Sequence, residues 1–125
     1  MKVKDYKELF VWQKGLEIVD RIYEVTDKFP GNEKYGLASQ MRRASISIPS
    51  NISEGFVRHY TKEFLQFLHL SLGSCAELET QLIIAKRRNY VLEERLVPLM
   101  SLLQYECKML VRLIQSLQRL PTNNK

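Results

Sequence analysis

Glycine, proline and cysteine are all scarce in this chain, at 5, 4 and 2 of 125 residues. So few turn formers, with no sustained alternation of apolar and polar residues, argue against strands and for an all-α protein. The two cysteines, Cys75 and Cys107, lie far apart in sequence and form no CxxC pair. Neither zinc nor thioredoxin-like spacing is present, and a reduced, cytoplasmic protein is expected. No run approaches the roughly 20 apolar residues of a membrane span. The start, MKVKDYKELF, carries charges without an apolar segment behind them, so no secretory signal and no membrane are expected. In that setting the sequon Asn51-Ile52-Ser53 is not a glycosylation site.

Catalytic signatures are equally sparse. There is no HExxH, no glycine-rich phosphate loop and no Glu-x-x-His pair of the di-iron bundles. His59 falls in a loop and His69 on a polar helix flank, and no serine has a histidine in a recognisable arrangement. The expectation is therefore no metal, no cofactor and no enzymatic activity.

What the chain does contain is helical periodicity. Apolar residues make up 45% and charged residues 26%, the balance of a globular domain. Four helices are predicted, over residues 9–28, 33–56, 61–88 and 93–120, within one domain covering 1–125. The first carries two apolar stripes, one of Trp12, Leu16, Val19, Tyr23 and Thr26, the other of Val11, Ile18, Ile22 and Val25. Phe29-Pro30-Gly31-Asn32 breaks it. The third opens at Thr61, read as an N-cap, and carries a seam of Phe64, Phe67, Leu68, Ser71, Cys75, Leu78, Leu82 and Ala85. The fourth carries Leu96, Leu99, Leu103, Cys107, Leu110, Ile114 and Leu117, and Pro121 stops it. Long helices with short connections imply an antiparallel up-down-up-down four-helix bundle.

The second helix is the most informative. Leu37, Met41, Ala44, Ile48 and Ile52 gather on one side of a helical wheel. Gln40, Arg43, Ser47, Ser50 and Glu54 gather opposite. That outer face carries hydroxyls and an amide where a capping helix would carry long charged side chains. It is either solvated or set against another surface with its polar groups paired. Pro49 interrupts the helix, removing a donor and crowding the Ser45 carbonyl, so a kink or a new helical start is expected there.

Some residues are left over once the bundle is drawn. Leu102, Met109 and Leu113 form a second apolar row on the fourth helix, which reads as a generous core or as a subunit interface. Ser47 and Ser50 join them as interface candidates. Glu79 sits at the edge of an apolar seam and needs a partner, with Arg42 and Arg43 as candidates and Arg43 preferred as a structural ion pair. Net charge is +5 and the sequence pI about 9.3. This permits an anionic partner, and equally an ordinary solvated surface. The candidate nucleic-acid contacts are Arg42, Arg43, Arg58, Lys62, Arg87, Arg88, Lys108, Arg112 and Arg119.

Several segments in order resemble a known family. They are Leu9-Phe10-Val11-Trp12, Phe29-Pro30, Tyr35-Gly36-Leu37, Gln40 with Arg42-Arg43-Ala44, Ser47-Ile48-Pro49-Ser50-Asn51-Ile52 through Glu54-Gly55, and Gly73-Ser74 leading to Glu77-Leu78-Glu79-Thr80-Gln81-Leu82. The pattern is similar to the four-helix-bundle proteins encoded in the intervening sequences of bacterial 23S ribosomal RNA genes. It spans residues 9–90, with the fourth helix matching only in length and periodicity. Ser53 and Cys75 depart from it, where alanine and a plain apolar residue are usual. The resemblance implies an up-down bundle assembling as a pentameric ring. It also implies kinship with the accessory protein of diversity-generating retroelements, a basic pentamer that binds nucleic acid and a reverse transcriptase. The family is not one of enzymes. The expected function is thus a homo-oligomer binding RNA or DNA through basic residues. The alternative is a scaffold for a reverse transcriptase, a ribosome-associated factor or another protein.

Overall fold

The computed structural model describes residues 3–120, and the elements in it are helical. A single 3-10 turn at Tyr6–Glu8 precedes helix α1, Phe10–Thr26. The Asp5 carboxylate holds that turn by accepting from the Lys7 backbone N–H at 3.0 Å. Of the two predicted stripes on α1, Val11, Ile18, Ile22 and Val25 face the core, while Leu16 and Tyr23 stay exposed. Thr26 is buried, and its hydroxyl donates to the Ile22 carbonyl at 2.6 Å.

Helix α2 spans Leu37–Phe56 and begins later than its periodicity predicts. Glu33 belongs to a 3-10 turn at Gly31–Glu33, and its carboxylate accepts from the Leu37 N–H at 3.0 Å. It thereby satisfies one of the orphan donors of the helix start. Of the kink or new helical start expected at Pro49, the new start is absent: α2 runs as one helix through it. The proline ring is buried against Gly15 of α1, whose missing Cβ would otherwise lie 3.2 Å from the Pro49 Cβ.

Helix α3 runs Thr61–Arg87. Tyr60 is its N-cap residue, so Thr61 is the first helical position and not the cap. The C-terminus closes with the Tyr90 N–H on the Ala85 carbonyl and the Asn89 N–H on the Lys86 carbonyl, a Schellman arrangement. Asn89 takes the left-handed conformation that this closure needs, at φ 63°. Helix α4 spans Glu93–Gln118, with Glu93 and Glu94 in its first turn where the helix dipole favours acids.

Backbones approach closely between α1 and α2, α2 and α3, α3 and α4, and α1 and α4, while those of the diagonal pairs stay further apart among the described residues. Partners run in opposite directions along neighbouring helices. Arg42 meets Asp27 while Pro49 meets Gly15. Ser71 reaches Ile48 while Phe67 meets Gly55. Lys86 pairs with Glu93 while Glu79 meets Gln104. The four helices enclose one apolar cluster, with Ile18, Ile22, Met41, Ile48, Ile52, Leu68, Leu78, Leu82, Leu99, Leu103 and Leu110 fully buried. Among the described residues, no helix is long and apolar enough to cross a membrane.

Candidate nucleic-acid interface

The nine basic candidates fall into two kinds. Arg42 is committed within the subunit: its Nε donates to the Thr26 hydroxyl at 2.8 Å and its Nη2 pairs with Asp27 at 2.9 Å. Its guanidinium also lies 4.5 Å from the centre of the Tyr23 ring. Arg58 is shared between Glu54 at 3.4 Å and Glu63 at 3.7 Å, over the Phe67 ring. Lys62 is exposed and has an interaction of its own. Arg88 caps the end of α3, where its charge acts on Glu33 and Tyr90. The ion pairs of Arg42 and Arg58 leave little field for a distant phosphate.

The other kind is unneutralised. Lys108, Arg112 and Arg119 are exposed along one side of α4, and none makes an ion pair among the described residues. Their spacing follows the helical turn, so they form a row. Lys108 and Arg112 flank a shallow groove completed by Cys107, Val111 and Gln115. Arg43 and Arg87 are also exposed, Arg43 donating only to the Gln40 side chain at 2.9 Å. Because α2 and α4 are diagonal in the bundle, Arg42 and Arg43 do not share a surface with the α4 row within one subunit.

The Arg43–Glu79 ion pair does not form. Glu79 accepts from the Gln104 amide of α4 at 3.3 Å, and Arg43 stays on the outer side of α2. A seam edge borders two neighbouring helices, and Glu79 lies on the α4 side. Two hydroxyls of the outer α2 region bond to their own helix, Ser47 to the Arg43 carbonyl at 3.0 Å and Ser53 to the Ser50 carbonyl at 3.0 Å, while Ser50 is exposed. Asn51 likewise donates to the Ser47 carbonyl at 2.9 Å. Leu102, Met109 and Leu113 are half-buried and packed on the subunit's own core. The large apolar side chains left exposed include Leu16, Tyr23 and Ile46 on α1 and α2, Leu70, Ile83 and Ile84 on α3, and Val97, Tyr105 and Val111 on α4.

One buried acid is absent from the sequence-derived candidates. Glu106 is fully buried, and neither carboxylate oxygen has a hydrogen-bond partner. Burial, reinforced by Cys107, pushes its pKa up to about 8, against a smaller opposing pull from Lys14. The spacing carries the signal, since Glu106 falls three residues after Leu103 and four before Leu110, at a seam position. The structure also brings the distant Cys75 and Cys107 close together across α3 and α4, near enough to shift each other's ionisation. Among the described residues, no group of three or more His, Cys, Asp or Glu side chains could hold a metal ion.

The model of the family described as "23S rRNA-intervening sequence protein" matches residues 7–112, reaching well into α4. A similar fold occurs in a crystal structure described as a protein of unknown function from the S23 ribosomal protein family of Bacteroides thetaiotaomicron. It is 24% identical, with a TM-score of 0.78, over 84% of this chain and 95% of that one. No curated protein matches the chain.

Proposed function

This chain belongs to the 23S rRNA-intervening sequence protein family, and from that premise we propose that it is a non-enzymatic homo-oligomer, pentameric when assembled, that binds RNA or DNA. The observation that carries the reading is the row Lys108, Arg112 and Arg119, three exposed cations without an acid in reach among the described residues. Such a row attracts phosphates without reading bases, so binding is weakly sequence-specific. Repetition of the row around a closed ring adds the charge of each copy to a common surface. The exposed apolar side chains on α1, α2 and α3 supply candidate surfaces between copies.

Replacing Lys108, Arg112 and Arg119 together by glutamine tests this at low salt, on nuclease-treated protein. Affinity for RNA and for duplex DNA falls at least about tenfold if the row makes the contacts. Unchanged binding places the interface elsewhere. Light scattering at high salt reads the subunit count, and a monomer refutes the ring.

A second reading, in which the bundle presents a surface to a protein such as a reverse transcriptase, draws on Leu70, Ile83 and Ile84. These are 56%, 50% and 43% exposed on the outer side of α3. Recovery of a defined partner after nuclease treatment, lost in Leu70→Glu, favours it over nucleic-acid binding.

A further inference from the structure

Cys75 and Cys107 stand apart in sequence and together in space. On α3, Cys75 lies about one turn before Glu79, and on α4, Cys107 lies about one turn after Gln104. Glu79 and Gln104 are hydrogen-bonded to each other. Neighbouring helices running in opposite directions therefore put the two cysteines at one level. The two thiols lie near enough there for each to shift the other's ionisation.

The two thiols are not equivalent. Cys75 is fully buried and has no route to solvent of its own. Cys107 is only half-buried and forms part of the groove between Lys108, Val111, Arg112 and Gln115. The interaction with Cys75 lowers the Cys107 pKa, against burial and the charge of Glu79, while the Cys75 thiol is pushed up by Cys107 and by its burial. A small oxidant entering the groove meets Cys107 first, because Cys75 is closed off from solvent behind it.

We propose that Cys107 and Cys75 are a peroxide-sensitive thiol pair, closing to a reversible disulfide that staples α3 to α4 beneath the Lys108–Arg112 groove. The co-reactant is a hydroperoxide. The Cys107 thiol gives up its proton, and the sulfur attacks one peroxide oxygen. The O–O bond breaks, and the departing hydroxide or alkoxide takes that proton to leave as water or alcohol. Cys107 is then a sulfenic acid, oxidised by two electrons. The Cys75 sulfur attacks it, the S–S bond forms, the S–O bond breaks, and the hydroxyl leaves with the Cys75 proton as water. Two thiols and one hydroperoxide thus become one disulfide, one alcohol or water, and one further water. A thiol reductant reverses it. The step does not depend on nucleic-acid binding or on the subunit count.

The test uses the full chain, fully reduced and then exposed to stoichiometric hydrogen peroxide. Thiol titration, intact mass and non-reducing peptide mapping follow. The expected result is joint loss of both thiols, a mass lower by two hydrogens and a peptide linking Cys75 to Cys107 within one chain. Dithiothreitol restores both thiols. In Cys75→Ser, Cys107 accumulates as a sulfenic acid trapped by dimedone. In Cys107→Ser, Cys75 survives the same exposure as a free thiol. Persistence of both thiols in the unaltered protein overturns the proposal. So does oxidation of Cys107 to the sulfinic acid with Cys75 still free, or a link formed only between chains. These readouts on the unaltered protein stand whether or not either variant folds.

Discussion

Gly55 of α2 lies so close to Phe67 of α3 that a Cβ on the glycine would fall 2.5 Å from the phenylalanine Cβ. The Phe64 ring crowds the same point at 3.1 Å. A Cβ is fixed to its backbone and cannot swing away as the end of a long side chain can. The approach of α2 to α3 at this level therefore requires glycine.

Gly55→Ala is expected to destabilise the protein by about 1–2 kcal/mol, because overpacking outweighs the helix propensity gained. Gly73→Ala is the matching control. That glycine lies on the outer side of α3 with nothing within 4 Å of an added Cβ, so the same change there gains up to about 1 kcal/mol. Urea unfolding followed by circular dichroism reads both. Equal effects at the two sites would remove the close-approach argument.

Glu106 makes stability depend on pH. Its folded pKa of about 8 lies above the ordinary 4.5. Its contribution is therefore fully present below about pH 4.5 and is lost as pH rises towards 8, because the unfolded chain ionises there while the folded one holds its proton. Glu106→Leu removes two unpartnered oxygens from the core. It is expected to stabilise the protein by on the order of 3–5 kcal/mol at about pH 8 and much less at about pH 4.5. A pH-independent difference between the two proteins in denaturant titrations would contradict this assignment.

Glu33 titrates in the opposite sense. The Leu37 N–H and then the Tyr90 hydroxyl hold its carboxyl below the usual range. Its contribution is present above its unfolded range and is lost as pH falls through the folded value. Tyr90→Phe deletes the 3.0 Å hydrogen bond from Tyr90 to Glu33 and is expected to move the Glu33 midpoint upward. Carbon-detected NMR titration of that side chain checks the direction.

The α4 row should appear in the salt dependence of binding. If Lys108, Arg112 and Arg119 each touch a phosphate, their joint removal lowers the slope of log affinity against log salt by about 2–3 per engaged subunit. Arg42→Gln should leave the slope alone and cost stability, because that guanidinium is held by Asp27 and Thr26. A slope that responds to Arg42 and not to the α4 row would exchange the two roles.

Helix periodicity is a local property of a chain, so much of the fold is legible in the order of the amino acids alone. Met41, Ala44, Ile48 and Ile52 repeat at helical spacing because one side of α2 is buried, and each of them is buried. The seams of α3 and α4 are legible for the same reason. Helix ends are less so. Whether Glu33 continues α2 or caps it depends on where its carboxylate reaches, and periodicity does not encode that.

Pairing is decided by register and by neighbours, which only the tertiary structure sets. Arg42 meets Asp27 because the connection between α1 and α2 brings the end of one beside the start of the other. Glu79 meets Gln104 because its seam edge borders α4. The basic residues are visible in the sequence as a pool, but their spacing does not tell a neutralised arginine from a free one. Cys75 and Cys107 are two unrelated thiols in the sequence, and antiparallel packing puts them at one level. Amino-acid order by itself determined which face of each helix avoids water, because burial follows local spacing. Tertiary structure decided which polar groups share a dry or crowded space, because that depends on residues distant in the chain.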